Sequence, residues 1–327
     1  MIKPPLAELW IFKARGEIRS SPVVSGKIVV FGSADEYVYA LNSDNGKVFW
    51  KFRTGDQVIA SPLIVKDKVY IGSYDSFFYC LDINTGKVIG KFKVGAPIKG
   101  SAATDGDKVY FGANDNKIYA LKLDTLRLVW VFKAPEWVEA APLIKDGVVY
   151  AGCDDGSLFA IDAVTAAMKW RSVTNESVYS TPVFDAGKLY FTSWDGNMYA
   201  VDAADGRHVW NTKIDEQASV SPAMSGDILI AGGMFNGDLS GVNKKTGKIL
   251  WSLPTMGGFD AGPVISGDIA YVGSFDEYFY AVDIKTGKVV WRKLLKGTIR
   301  GSSAVADGVI YVGTKKGILH AFTHASK

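Results

Sequence analysis

The sequence predicts an all-β protein: a single eight-bladed β-propeller whose blades are four-stranded antiparallel sheets. The first observation is a repeat, because one position recurs at steps of 40 residues, with a single step of 41. It is occupied by Trp10, Trp50, Gly90, Trp130, Trp170, Trp210, Trp251 and Trp291. A fixed period in this range indicates a solenoid, an array or a propeller. The second observation is a lone strand at the N-terminus, which suggests how the array closes.

Each repeat contains four short strand signals separated by tight turns. In the first full unit the runs SSPVV, KIVVFGS, YVYALN and KVFWKF are rich in β-branched and aromatic residues. The segments between them carry Gly, Asp, Asn and Ser, which favour turns. Seven further units follow the same plan, and no helical apolar period persists along the sequence.

The N-terminal strand is predicted to close the ring. Residues 6–13 carry the tryptophan signature without a unit before them, whereas the eighth unit ends after its third strand. We therefore expect residues 6–13, with Trp10, to form the outer strand of blade 8, so that residues 1–327 are one domain. An open array would leave strand edges unpaired. The rival fold, a solenoid of strands, predicts shorter repeats and no orphan strand.

The recurring turn is clearest from Ala281 to Trp291, which reads AVDIKTGKVVW. Its aspartate can accept hydrogen bonds from the turn amides, and its glycine allows a positive φ. The tryptophan offers an apolar face for the neighbouring blade and an indole N–H for a carbonyl. We expect this docking role for Trp10, Trp50, Trp130, Trp170, Trp210, Trp251 and Trp291. Gly90 stands in the same position of blade 2 and predicts a looser contact there.

This AxDxxTGKxxW pattern resembles the tryptophan-docking motif of the pyrroloquinoline-quinone (PQQ)-like propeller repeat family. The resemblance covers nearly the whole sequence, although blades 3 and 4 lack the glycine. It implies an eight-bladed propeller, in a family that includes quinoprotein dehydrogenases, kinase-linked sensor domains and non-catalytic propellers similar to BamB. In character this protein is closest to the BamB-like group. Fold transfers across such a family better than function does.

Residues that a quinoprotein-like enzyme would need are not recognisable in the sequence. The resemblance implies an adjacent cysteine pair and a calcium site, but Cys80 and Cys153 are isolated and read as free thiols in small-residue positions. Glu139 and Asp260, the carboxylates expected near the axis, belong to blades 4 and 7, too far apart to share one ion. We therefore predict no catalytic residues, no metal ligands and no cofactor. PQQ with calcium remains the alternative.

Composition limits the partners. The formal net charge is +3 without a basic run, which argues against nucleic acid. No apolar stretch approaches the roughly 18 residues of a membrane helix, and we expect a monomer. The compartment stays open: cytoplasmic if Met1 is the native start, periplasmic or extracellular if the sequence was trimmed to a mature domain.

The positions that vary while the framework repeats are the candidates for binding. One residue precedes the first strand of each blade, the innermost strand, so these eight should surround the mouth of the central channel: Arg19, Ile59, Lys99, Glu139, Tyr179, Ser219, Asp260 and Arg300. Nearby turns and connections should add aromatic residues to the same face: Tyr74, Trp137, Trp194, Phe235, Phe259 and Phe275.

The predicted function is a non-catalytic scaffold that binds a protein or peptide partner through this face, since aromatic and arginine side chains favour binding hot spots. The candidate residues are Arg19, Lys99, Glu139, Tyr179, Asp260, Arg300, Trp137 and Trp194. The alternative is a binder of PQQ or another small anion, held by Arg19, Lys99 and Arg300, and an oxidoreductase in the quinoprotein case. A sensor module of a larger protein is the third hypothesis. Local pairing of Lys99 with Glu139 and of Arg300 with Asp260 would leave the face without a binding role.

Three smaller features receive structural interpretations. His320 replaces a repeated tyrosine and is expected to fill a packing position. Asp155 aligns with a repeated turn aspartate. The extra residue of blade 6, in GMFNGDLSG, predicts a local bulge.

Overall fold

The computed structural model describes residues 2–325, which form 32 β-strands arranged in eight four-stranded sheets. These residues contain no helix, and hence none long and apolar enough to cross a membrane. Neighbouring strands within every sheet are antiparallel. The all-β prediction is confirmed.

The first four blades each contain four strands that follow the sequence from the channel outward. Blade 1 consists of β2 (Val23–Ser25), β3 (Ile28–Gly32), β4 (Tyr37–Asn42) and β5 (Val48–Arg53). Blade 2 consists of β6 (Leu63–Val65), β7 (Lys68–Gly72), β8 (Phe77–Asp82) and β9 (Val88–Lys93). Blade 3 consists of β10 (Ala103–Thr104), β11 (Lys108–Ala113), β12 (Lys117–Lys122) and β13 (Leu128–Lys133). Blade 4 consists of β14 (Leu143–Lys145), β15 (Val148–Gly152), β16 (Ser157–Asp162) and β17 (Met168–Val173).

The remaining blades repeat this order until the last one. Blade 5 consists of β18 (Val183–Asp185), β19 (Lys188–Thr192), β20 (Asn197–Asp202) and β21 (His208–Lys213). Blade 6 consists of β22 (Ala223–Ser225), β23 (Ile228–Gly232), β24 (Asp238–Asn243) and β25 (Ile249–Pro254). Blade 7 consists of β26 (Val264–Ser266), β27 (Ile269–Gly273), β28 (Tyr278–Asp283) and β29 (Val289–Leu294). Blade 8 consists of β30 (Ala304–Ala306), β31 (Val309–Gly313), β32 (Ile318–His324) and the N-terminal β1 (Leu6–Lys13).

The ring closes as predicted. β1 pairs with β32 in an antiparallel ladder from Leu6↔His324 to Lys13↔Ile318. The first strands of neighbouring blades contact one another around the centre, including β2 with β6 and with β30. The eight sheets therefore form a closed eight-bladed propeller in which blade 8 joins both ends of the polypeptide.

The core lies between blades. The middle strands are buried on consecutive residues, because each sheet is covered on both faces by its neighbours. Each apolar cluster consequently joins residues of two adjacent blades, as in the cluster of Val30, Trp50, Val69 and Leu81. The repeated alanines, such as Ala40 and Ala120, are fully buried where sheets approach closely.

Six of the seven predicted tryptophans dock on the next blade through one contact. The indole N–H donates to a turn carbonyl at 2.7–3.1 Å, with acceptors at Ser43, Ile83, Ala163, Ala203, Lys244 and Ile284. Most of these indoles lie on a turn glycine, and a Cβ at Gly86 would stand 2.5 Å from the Trp50 ring. Glycine is therefore needed both for its positive φ of 68° and for the space.

The seam between blades 2 and 3, where a looser contact is predicted at Gly90, is filled by different residues. The turn glycine found in most other blades is replaced by Leu126, whose side chain is buried and lies over Gly90. Leu126 keeps the positive φ of the turn, at 54°. The Tyr70 hydroxyl donates to the Leu123 carbonyl at 2.6 Å, the position that a tryptophan indole would otherwise reach. Leu126 thus occupies space beside Gly90, and Tyr70 donates the hydrogen bond that an indole would make.

Trp291 departs from the docking pattern because blade 8 has the two termini where other blades have a turn. Within residues 2–325 its indole N–H has no hydrogen-bond acceptor, and its ring packs edge-on against Phe279 and Phe322. Ile2 substitutes for the absent turn: it is buried, and its carbonyl accepts from the Tyr271 hydroxyl at 3.1 Å. Residues before the predicted strand 6–13 thus also help to close the ring.

The extra residue of blade 6 lengthens a turn, so the predicted bulge is wrong. Gly232 pairs with Leu239, one residue further than in other blades, while the ladder itself has the one irregularity shared by all blades. Asp215 from the preceding connection is buried and accepts from the Asn236 amide at 2.9 Å, replacing the turn aspartate.

The other small predictions are confirmed. Asp155 accepts from the Ser157 amide in its turn, and His320 is buried and stacked on Phe322. Cys80 and Cys153 are free and buried.

Candidate binding site at the channel mouth

One cavity of about 510 Å³ opens at the centre of one face of the propeller. We call it the mouth cavity. All eight positions that were expected to surround the channel line it, one from each blade: Arg19, Ile59, Lys99, Glu139, Tyr179, Ser219, Asp260 and Arg300. Tyr74 and Trp194 line it as well, and so does Met234, which sequence reasoning did not identify. The fold therefore brings the eight varying positions together around one cavity.

The inner segments position these side chains by simple alternation. The residue that follows each mouth position is buried within the blade and is small in all blades but one, as with Ser20, Ala60, Ala140 and Ser180. Because successive residues of an extended backbone point to opposite sides, the mouth residue itself faces the channel. The residue after the buried one faces the channel again, deeper inside, which places Ser21, Ser61 and Ser221 on the cavity wall.

Each cation of the cavity has a carboxylate partner. Lys99 forms an ion pair and hydrogen bond with Glu139, and the Asn114 amide donates to the second oxygen of Glu139 at 3.1 Å. Arg300 lies 3.6 Å from Asp260. These are the two local pairs considered from the sequence.

Arg19 has a partner that the sequence did not suggest. Its Nε is 2.6 Å from Glu17, which also lies 3.5 Å from Lys315. The charges of the mouth are therefore matched in pairs, and a ligand would have to exchange with one of them.

Asp154 lies behind the cavity wall and was missed as part of the site. Its Oδ2 accepts from the Tyr179 hydroxyl at 3.1 Å, whereas Oδ1 is buried without a partner among residues 2–325. Burial, and then the negative charge of Glu139, raise the pKa of Asp154 to about 6. The sequence did indicate that Asp154 belongs to the site, because it aligns with Tyr74 and Trp194 at a turn position that differs in every blade.

The aromatic residues of this face divide into three groups. Trp194 and Tyr179 meet edge-to-face at 5.5 Å in the cavity wall, and the Arg300 guanidinium lies 5.0 Å above the Phe275 ring. Phe259 is fully buried, so its expected place on the face is wrong: its ring fills the space beside Gly232. Trp137 is 47% exposed but does not line the cavity.

Two exposed apolar residues of blade 6 lie on loops at the same end of the blade as the cavity. Phe235 is 72% exposed and Met256 is 97% exposed. Their turns touch, because the Thr255 amide donates to the Gly237 carbonyl at 3.0 Å. The residue before Phe235, Met234, lines the cavity. We call Phe235 and Met256 the blade 6 rim.

The residues present do not fit PQQ held through calcium. Calcium requires about six to eight oxygen ligands, but residues 2–325 hold no group of three or more His, Cys, Asp or Glu side chains that could bind a metal ion. Glu139 and Asp260 are each engaged by a cation. The two cysteines lie in different blades and are buried, and burial raises the pKa of the Cys153 thiol to about 12.

Comparisons with known proteins place the protein in a family. A family model described as "Outer membrane protein assembly factor BamB" matches residues 7–89, 75–217 and 235–326. A comparison with curated proteins gives no match.

Solved structures share the fold. BamB from Moraxella catarrhalis superposes with a TM-score of 0.83 at 21% identity, over 98% of each protein. The computationally designed Ika8 protein superposes with a TM-score of 0.86 at 19% identity, over 97% of this protein and 99% of that one. A quinohemoprotein alcohol dehydrogenase, ADHIIG from Pseudomonas putida HK5, gives 0.84 at 13% identity, over 98% of this protein and 77% of that one. At these identities the structures establish the fold alone, whereas the family model covers most of the sequence, which therefore belongs to the BamB-like family of PQQ-type β-propellers.

Proposed function

We propose that this propeller is a non-catalytic scaffold that binds a protein partner through the face on which the mouth cavity opens. The observation that carries the proposal is the blade 6 rim. Phe235 and Met256 expose most of their apolar surface on the face where the polar cavity opens, in the one blade that departs from the repeat length. Exposed apolar side chains next to a polar site are typical of protein interfaces.

The internal ion pairs support a protein partner over a small polyanion. Lys99 is held by Glu139, whose second oxygen is engaged by Asn114, so one of the three cations is already compensated and is not available to a polyanion. A partner that also covers the rim would gain apolar contact area that a ligand confined to the cavity cannot reach. The matching family description, an assembly factor for outer membrane proteins, is consistent with a role among other proteins.

A photo-crosslinking experiment tests this proposal. Benzoylphenylalanine replaces Phe235 in one variant and Val164 in a matched control. Val164 is 75% exposed and lies in a turn between a third and a fourth strand, at the opposite end of its blade. After irradiation in an extract of the native cells, we expect a discrete protein adduct from position 235 and none from position 164. Equal labelling at both positions, or none at 235, would contradict the proposal.

A small anionic ligand is the second candidate, favoured by the cavity volume of about 510 Å³, which matches small-molecule sites of roughly 300–1,000 Å³. Calorimetric titration of the metal-stripped protein with PQQ, with and without calcium, tests it. Saturable binding at one site would support this candidate, and the absence of heat would remove it.

A further inference from the structure

Three serine hydroxyls on the wall of the mouth cavity are held in place by neighbouring blades. The Oγ atoms of Ser21, Ser61 and Ser221 accept the backbone N–H groups of Ser302, Ser21 and Thr181 at 3.0, 2.9 and 2.8 Å. A hydroxyl that accepts a hydrogen bond can still donate one. No residue among 2–325 accepts from these three hydroxyls, so their protons are available to a group in the channel. We call these three residues the serine floor, because they lie deeper than the mouth positions.

Above the serine floor, Arg300 is the least firmly paired cation. Its distance of 3.6 Å to Asp260 is longer than the distances in the pairs formed by Arg19 and Lys99. Stacking on Phe275 fixes the orientation of Arg300, and Arg19 stands on the adjacent blade. Arg300 Nε is buried without a hydrogen-bond partner among residues 2–325, so this sector holds an unused charged donor above the serine hydroxyls.

We propose that the partner inserts a carboxylate into the mouth cavity, where Arg300 and Arg19 bind its charge and the serine floor donates to its oxygens. The inference rests on the proposed function and specifies the segment that enters the cavity. The shared chemistry is the carboxylate, which either an acidic side chain or a free C-terminus of the partner can supply. Charge-assisted hydrogen bonds of arginine to carboxylate are among the stronger polar contacts.

The two carboxylates of the cavity wall do not favour a basic segment instead. Both oxygens of Glu139 are engaged, one by Lys99 and the other by Asn114. Asp260 already faces Arg300 and forms the loosest pair, which an incoming carboxylate can replace at the guanidinium. An anion that binds at Arg300 therefore displaces only the loosest ion pair, whereas a cation that binds at Glu139 would have to displace Lys99.

Titration with short peptides, followed by NMR, tests the inference. The Trp194 indole N–H reports on the cavity because this ring lies in its wall, and its resonance is assigned with Trp194→Phe. Acetyl-Gly-Glu-Gly-amide and acetyl-Gly-Gly-Gly with a free C-terminus carry one carboxylate in two positions. Acetyl-Gly-Gln-Gly-amide and acetyl-Gly-Lys-Gly-amide are the neutral and basic controls. We expect one carboxylate peptide to bind at least on the order of tenfold more tightly than the glutamine peptide.

Variants separate the cavity from the rest of the surface. Arg19→Gln with Arg300→Gln should remove the preference for carboxylate, whereas Lys285→Gln, an exposed lysine in the turn between the third and fourth strands of blade 7, should retain it. Equal binding of the glutamate and glutamine peptides, stronger binding of the lysine peptide, or no response to any carboxylate peptide would overturn the inference. The crosslink at position 235 does not depend on these peptides, so the proposed function can stand if the inference fails.

Discussion

The seams between blades and the mouth of the channel respond to sequence change in opposite ways. At the seams one contact recurs, and where a residue differs, another residue across the seam compensates. Gly90 is matched by Leu126, and the absent turn of blade 8 is replaced by Ile2. At the mouth the eight equivalent positions carry different side chains, with only arginine occurring twice.

The difference follows from packing. Protein interiors are close-packed, so a change of volume at a seam has to be answered by a neighbour. The mouth positions border an open cavity, so that their volume is unconstrained and their charge and shape are free to serve binding. Repetition therefore marks the residues that hold the ring together, and its absence marks the candidates for function.

Deleting residues 2–13 should have the largest effect on the seams. Blade 8 would lose its outer strand, and blade 7 would lose the Ile2 carbonyl that accepts from Tyr271. Since the ring is closed through this strand, we expect the melting temperature to fall by more than any single substitution lowers it. A melting temperature equal to that of the full-length protein, measured by calorimetry, would contradict ring closure as the source of stability.

Trp130→Ala removes one complete docking contact. The side chain is 9% exposed, and its indole donates to the Ala163 carbonyl at 3.0 Å. We expect a loss of about 3–5 kcal/mol in the free energy of unfolding, measured in denaturant, because the cavity cannot collapse between two sheets. A loss near zero would show that the tryptophans do not fasten the blades.

The seam at Gly90 allows the compensation to be tested directly. Leu126→Gly alone should cost about 2 kcal/mol through the cavity it leaves, and Gly90→Trp alone should be destabilising because the indole meets Leu126. The double variant recreates the common tryptophan-on-glycine contact and should recover most of both losses. Additive losses in this double-mutant cycle would mean that the two positions are not coupled.

Asp154→Asn tests the electrostatics of the mouth with a smaller effect. Because the pKa of Asp154 is raised to about 6 from 3.8, the native protein holds a proton that the unfolded state releases between these values. Stability contributed by this proton is present below about pH 4 and is lost as the pH rises through about 6. The variant, which can still accept from Tyr179, should therefore be more stable than the parent by about 1–2 kcal/mol near pH 7, a value reduced because the group is half-buried.

Near pH 4 the same variant should be no more stable than the parent, because the native parent is also uncharged at this position there. Denaturant unfolding at the two pH values measures the difference. If Asp154→Asn raises the free energy of unfolding equally at both pH values, the pKa of Asp154 is not raised in the native protein.

The sequence predicted the framework well because it is periodic. The 40-residue step and the orphan strand at Trp10 were enough for the blade count and the closure. The residues that compensate for a missing tryptophan were not predictable from the repeat, since Leu126 and Tyr70 compensate for Gly90 from separate parts of the sequence.

At the candidate site the eight mouth positions could be derived from strand alternation. Asp154 was not recognised as a site residue because its neighbour Asp155 matches the repeated turn aspartate, and both were interpreted as part of that turn. Phe259 was misplaced although the repeat held the signal: it occupies the position of Val58 and Ile299, which are buried against the equivalent glycines of their seams.

The central claim is that function resides at the mouth while stability resides at the seams. The most direct measurement compares the crosslinking yield from position 235 and the melting temperature in two backgrounds. Arg19→Gln with Arg300→Gln should abolish the adduct and leave the melting temperature nearly unchanged, whereas Gly90→Trp with Leu126→Gly should retain both. An adduct of unchanged yield in the arginine variant, with the fold intact, would contradict the account, because the partner would then bind beside position 235 without using the mouth cavity.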